Sequence, residues 1–144
     1  MAEIDHVERL VPEPYERRLL QVMLAARQNL ADWNRERGGW REAAKLYGSI
    51  VELDPEAGAE SSLLFQRGEC LLMSGEPASG EILLERALAS GLDPKERASA
   101  HAYLGRLCRE RGDEAGVRRH VQDAEAVRGI PDDIRERIRR LKSP

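Results

Sequence analysis

The sequence is poor in aromatic residues: phenylalanine, tryptophan and tyrosine together make up 4% of its 144 residues. A core with so few rings must consist mostly of leucine, alanine, valine and isoleucine, which favours closely stacked helices over a β-sandwich. The chain also lacks the alternation of apolar and polar residues that is typical of strands. Together these absences predict an all-α fold.

Cysteines and long apolar segments are also scarce. Cys70 and Cys108 lie inside helical patterns without a CxxC pair or a histidine at ligand spacing, so we expect both to be reduced core residues. The first ten residues have no apolar stretch like that of a signal peptide, and no segment approaches the length of a transmembrane helix. The sequence therefore predicts a cytoplasmic protein without a membrane partner.

Neither sign of charge dominates, and the formal net charge is −3 at pH 7. Nucleic-acid binding normally needs a basic face that neutralises phosphates, so we expect no nucleic-acid partner. Basic residues do crowd toward the C-terminus, but acidic residues are interleaved among them. We interpret that segment as a solvated helix face.

The chain does contain an internal repeat. Gly38, Gly75 and Gly112 stand 37 residues apart, and each separates two amphipathic segments. Two further columns keep the same step, one of small residues and one of apolar residues: Ala31, Gly68 and Gly105, then Ile50, Ala87 and Ala124. Self-similarity at such a period predicts an α-solenoid, in which each helical hairpin packs only against its neighbours.

Proline and glycine positions predict the domain limits. Pro12 and Pro14 interrupt a helix and push Glu13 toward extended geometry, so we expect a flexible segment over residues 1–13. Residues 14–144 are predicted to form one domain. Its expected parts are three repeats at about 24–60, 61–97 and 98–131, and a capping helix over 132–142 that begins after Pro131.

The first helix is expected to be long and to end near Arg37. Its apolar residues recur at steps of three and four: Tyr15, Leu19, Met23, Ala26, Leu30 and Trp33. In an array, such a stripe is the face that packs against neighbouring helices. Tyr15, Leu19 and Met23 are also candidate contacts of a homodimer formed through this helix.

These features resemble the tetratricopeptide repeat, a 34-residue helix–turn–helix unit with Leu-Gly, a central Gly, an Ala in the second helix and a closing Pro. The likeness extends from about Leu24 to Pro131. The first unit matches with Leu30-Ala31, Gly38, Trp40, Ala43, Tyr47, Ile50 and Leu53-Asp54-Pro55. The third matches with Leu104-Gly105, Gly112 and Ala124. The second departs most, with Arg67 in place of Leu, Pro77 in place of an aromatic residue and Gly80 in place of Ala.

The resemblance implies a non-enzymatic adaptor that holds a peptide or helix of a partner protein in a concave groove, without a cofactor. The family's groove positions correspond here to Gln28, Asp32, Arg35, Phe65, Glu69, Leu72, Met73, Ala102, Arg106 and Arg109. Phe65, Leu72 and Met73 are not needed for the neighbouring apolar stripe of their helix. They therefore predict an apolar floor for a partner's side chains.

Two other functions remain open at the level of sequence. The size of the chain and its lack of enzymatic residues are similar to those of small tetratricopeptide chaperones of bacterial type III secretion, which implies shelter of an apolar segment of a secreted protein. The second alternative is a homo-oligomeric structural scaffold.

Catalysis and metal binding have little support in the sequence. His6, His101 and His120 each stand without a cysteine, a serine or a paired carboxylate at a spacing that makes a nucleophile–base pair. No metal-ligand spacing and no phosphate-binding glycine loop is present. We therefore predict neither an enzyme nor a metal site.

Overall fold

The computed structural model describes residues 13–143, and every regular element in that part of the chain is an α-helix. Eight helices follow one another there: α1 (Glu13–Glu36), α2 (Trp40–Leu53), α3 (Pro55–Gly58), α4 (Ser61–Met73), α5 (Pro77–Ser90), α6 (Pro94–Glu110), α7 (Glu114–Glu125) and α8 (Asp132–Lys142). The predicted all-α fold is confirmed. The predicted flexible segment lies outside the described residues, apart from its last residue.

The helices pack as three hairpins, α1 with α2, α4 with α5 and α6 with α7. Contacts between hairpins join neighbours along the chain: α2 packs on α4, and both α4 and α5 pack on α6. The last helix, α8, packs on α6 and α7. Spatial order therefore follows chain order from α1 to α8.

The three columns of the repeat have the roles expected of them. Gly38, Gly75 and Gly112 have positive φ angles of 77°, 96° and 75°, a backbone region that glycine enters without steric cost. The other two columns are buried throughout: Ala31, Gly68, Gly105, Ile50, Ala87 and Ala124. Turn and packing positions thus recur at the same step in the sequence and in the structure.

The core is a series of three clusters of buried side chains, one at each hairpin and its neighbour. Three of the largest side chains that are fully or almost fully buried come one from each hairpin: Tyr47 of α2, Leu84 of α5 and Leu104 of α6. Cys70 and Cys108 are free and buried, as predicted. Burial is therefore local to adjacent hairpins and not gathered at one centre.

Two details of the helix boundaries correct the sequence-based expectations. Glu13 was expected to be extended, but α1 begins at this residue and contains Pro14, because a proline is tolerated in the first turn of a helix. The one-turn helix α3, which begins at Pro55, was not expected from the sequence. The Asp54 side chain starts this turn by accepting hydrogen bonds from the backbone N–H groups of Glu56 and Ala57, at 3.1 and 3.3 Å.

The apolar stripe of α1 faces away from the core, so the expectation that it packs against neighbouring helices is wrong. Four of its large side chains and the neighbouring Val22 are half exposed or more: Tyr15 66%, Leu19 50%, Val22 60%, Leu30 51% and Trp33 51%. Met23 of the same stripe, in contrast, is half-buried. Ala31 is fully buried on the opposite side of the helix. Within the described residues no helix precedes α1, and its outer face therefore has no neighbour to cover it.

Candidate functional site

Polar side chains join the first helices of successive hairpins. The Gln28 amide on α1 donates to the Gln66 amide oxygen on α4 at 3.1 Å, across 38 residues of sequence. The Tyr103 hydroxyl on α6 donates to Glu69 Oε2 on α4 at 2.6 Å, across 34 residues. Side-chain hydrogen bonds therefore join α1 to α4 and α4 to α6.

The last helix extends this series. The Arg137 guanidinium on α8 donates a hydrogen bond to the Ser99 hydroxyl of α6 at 3.4 Å, across 38 residues of sequence. The same guanidinium lies over the Tyr103 ring, 4.2 Å from its centroid. Arg109 of α6 donates to the backbone carbonyl oxygens of Leu141 and Ser143 at the C-terminal end of α8. In its contacts with α6, α8 thus lies where the first helix of a further hairpin would lie.

Glu69 lies at the centre of these contacts. It is only 8% exposed, and its two carboxylate oxygens accept from Arg35 of α1 at 3.1 Å and from Tyr103 of α6. Burial and the Glu69 carboxylate raise the pKa of Tyr103, so its hydroxyl stays protonated and donates. The Nε atom of Arg35 is buried without a hydrogen-bond partner. One carboxylate therefore links three consecutive first helices.

Asp32 and Gln28 are also engaged within the protein. One Asp32 carboxylate oxygen accepts from the Tyr47 hydroxyl of α2 and from the Gln28 amide at 3.0 Å. Burial and the hydrogen bond to Asp32 raise the pKa of Tyr47, which keeps this phenol neutral as well. Asp32 thereby ties α1 to α2, the second helix of its own hairpin.

Two of the three residues predicted to form an apolar floor are core residues. Phe65 and Leu72 are 3% and 6% exposed and belong to the core cluster shared by α4, α5 and α6. The reason is that α4 contacts helices on several sides, so its buried arc is wider than one stripe. Met73 is 37% exposed, and its sulfur atom lies 3.9 Å from the Arg106 guanidinium. Ala102 of α6 is buried in the cluster that α6 forms with α7 and α8.

A cavity of about 470 Å³ opens between α1, α4, α6 and α8. Of the predicted groove residues, Arg35, Phe65 and Glu69 line it. Its other lining residues are mostly polar: Ser62, Asp93, Lys95, Glu96, Ser99, Tyr103, Asp133, Ile134 and Arg137. Lys95 and Arg137 were not among the groove residues predicted from the sequence. Arg137 could have been included, because it belongs to the capping helix that was expected to lie beside the last hairpin.

Two histidines that were predicted to be isolated lie side by side. His101 of α6 and His120 of α7 have their Nδ1 atoms 3.1 Å apart. They are separated by 19 residues of sequence, on either side of the turn at Gly112. When the two helices of a hairpin pack together, residues at comparable distances from the turn come into contact. This rule could have predicted the proximity of His101 and His120 from the sequence.

Within residues 13–143, no helix combines the length and the apolar character required to cross a bilayer. No protein-family model matches the chain, and no curated protein matches its sequence.

Proposed function

We propose that the chain is a non-enzymatic adaptor, a solenoid of three tetratricopeptide-like hairpins capped by α8, that binds a segment of a partner protein along its first helices. Two observations support the solenoid: hairpins contact their neighbours in chain order, and polar contacts between first helices recur at 34 and 38 residues. Stacked hairpins of this kind create extended concave binding surfaces.

The cavity of about 470 Å³ on these helices is the observation that carries the binding proposal. An extended peptide brings backbone donors and acceptors at every residue, and the cavity offers hydroxyl groups, carboxylates and cations to pair with them. Lys95 and Arg137 provide positive charge from two different helices, beside the carboxylates of Asp93, Glu96 and Asp133. Recognition in such a groove depends on hydrogen bonds and charge, so the proposed ligand is a polar peptide that carries at least one carboxylate.

The burial of Phe65 and Leu72 weighs against the chaperone alternative. A chaperone for an apolar segment needs exposed apolar area in its groove, and these two side chains are 3% and 6% exposed. The groove that remains suits a polar peptide better than an unfolded apolar one.

Reversing the charge of two groove cations, Lys95 and Arg137, is expected to weaken peptide recognition. Peptides selected by display on the wild-type protein should bind the Lys95→Glu/Arg137→Glu variant at least about tenfold more weakly, since carboxylates then face carboxylates. Fluorescence anisotropy measures the affinities. The charge-matched control is Arg86→Glu/Arg128→Glu, two exposed residues that do not line this cavity. Selected peptides that bind all three proteins equally would refute the groove.

Self-association through α1 is a second candidate function, favoured by the exposed stripe of this helix. Tyr15, Leu19, Val22, Leu30 and Trp33 follow steps of three, four and eight along one face of a 24-residue helix. A contiguous exposed apolar surface marks an interaction site, and spacing of this kind suits pairing with a second helix. A second copy of the chain presents the matching surface.

The α1 stripe can be tested by adding charge to it. If the stripe joins two copies, wild-type protein will have the mass of a dimer in light scattering, and Leu19→Glu/Val22→Glu will have that of a monomer, because buried unpaired carboxylates oppose pairing. Gln21→Glu/Ala25→Glu introduces the same charge at exposed positions outside the stripe and should remain dimeric. A monomeric wild-type protein at high concentration would exclude this interface while leaving the groove untouched.

A further inference from the structure

His101, His120 and Asp123 form a cluster of metal-ligating side chains between the two helices of the last hairpin. One potential ligand atom from each residue can be chosen so that all three lie within 4.8 Å of one another. His101 belongs to α6, whereas His120 and Asp123 are three positions apart on α7, a separation that places two side chains on the same helix face. The two helices thus bring three potential ligand atoms close together.

The distance between the imidazoles matches that between two ligands of one metal ion. Zinc–nitrogen bonds are about 2.0–2.1 Å, so two nitrogens on a tetrahedral zinc ion lie roughly 3.3 Å apart. The Nδ1 atoms of His101 and His120 are 3.1 Å apart, which differs by only a few tenths of an ångström. Asp123 is exposed, and one of its carboxylate oxygens lies within 4.8 Å of a ring nitrogen of each histidine.

The two imidazoles lie in a partly buried environment of mixed charge. Burial lowers the pKa of His101, and burial together with the nearby His101 ring lowers the pKa of His120. The two histidines are half-buried, so an ion can reach them from solvent. The surrounding charges are mixed, with Arg97 and Arg119 opposed by Asp113 and Asp123.

We propose that His101, His120 and Asp123 bind a divalent transition-metal ion, with Zn²⁺ the best fit, and that this ion links α6 to α7. Two imidazoles and one carboxylate suit zinc better than Mg²⁺ or Ca²⁺, which prefer oxygen ligands throughout. Three protein ligands leave the fourth tetrahedral position to water or to an external ligand. The site lies in the hairpin whose first helix also borders the proposed peptide groove, but it does not depend on peptide binding.

The competing interpretation is a simple hydrogen bond in which one neutral imidazole donates its Nδ1 proton to the other. The two interpretations predict different responses to metal. A hydrogen-bonded pair keeps its ring-nitrogen NMR signals when Zn²⁺ is added, whereas in a metal site the Nδ1 proton moves to Nε2 of the same ring and both Nδ1 atoms bind the ion. Metal-free wild-type protein, prepared with a chelator, decides between them without any substitution.

The decisive experiment is titration of the metal-free full chain with Zn²⁺ by calorimetry, with Co²⁺ absorption as a reporter of tetrahedral geometry. We expect one ion per chain, shifts of both ring-nitrogen signals, and affinities at least about tenfold weaker for His101→Ala and for His120→Ala. Asp132→Asn, which removes an exposed carboxylate from α8, should bind like wild type.

Three results would overturn the site. They are the absence of saturable Zn²⁺ binding to wild type, unchanged ring-nitrogen signals at saturation, and undiminished affinity in a folded His101→Ala/His120→Ala variant. Circular dichroism establishes that the variant is folded. If the variant does not fold, the ring-nitrogen signals of the wild-type protein still decide the question.

Discussion

Replacing Glu69 with leucine is expected to lower the free energy of unfolding by about 3 kcal/mol, because the substitution removes the partner of a largely buried guanidinium. The Arg35 and Glu69 side chains are 25% and 10% exposed, so solvent compensates little for the lost pair. The Tyr103 hydroxyl loses its acceptor in the same step. Urea denaturation followed by circular dichroism measures the change.

The design of this experiment separates the ion pair from general effects of the substitution. Glu52→Leu replaces an exposed glutamate of α2 and should change stability by less than about 0.5 kcal/mol. Adding Arg35→Met to Glu69→Leu removes the unpaired charge and should recover part of the loss, as a double-mutant cycle will show. A loss below about 1 kcal/mol for Glu69→Leu would show that Glu69 does not hold the first helices together.

Gly80→Ala is expected to destabilise the protein by about 2–3 kcal/mol, although alanine is the better helix former. A Cβ atom at Gly80 would lie 2.7 Å from the carbonyl oxygen of Gly68 and 2.9 Å from the backbone nitrogen of Leu72. Both are backbone atoms of α4, so the two helices must move apart to admit the methyl group. Thermal or urea denaturation will report the loss.

Gly48→Ala is the matched control, since Gly48 also lies inside a helix. The nearest atom to a Cβ at this position is the flexible Arg67 Nε, 4.0 Å away. Without a clash, the gain in helix propensity should stabilise the protein by up to about 1 kcal/mol. The two substitutions are thus expected to have opposite signs. Equal effects would contradict the proposed close approach of α4 and α5.

The sequence predicted the elements of this fold well where the signal is local. Helix α8 was expected over 132–142, and it has these bounds. Helix ends depend on nearby glycines and prolines, and the columns of small residues repeat at a constant step. Such signals need no knowledge of distant contacts. The one-turn helix α3 was missed because a four-residue helix carries almost no periodicity.

The candidate site was predicted less well, because its properties depend on which helices become neighbours. Gly80 was interpreted as a departure from the expected alanine, but it permits the approach of α4 and α5. Glu69 was expected to bind a partner, but it pairs with side chains of α1 and α6. His101 and His120 lie close together only because their helices pack as a hairpin.

The sequence by itself determined that this protein is built of helices, where most of them begin and end, and at what step they repeat. Hydrogen bonds within a helix and the conformations open to glycine and proline act over a few residues, so they can be recognised along the chain. Only the tertiary structure decided which face of α1 is exposed, which charged side chains form pairs and which residues line the cavity between α1, α4, α6 and α8. These properties arise between residues on different helices, fifteen or more positions apart in the contacts described above, and their energies depend on the burial that packing creates.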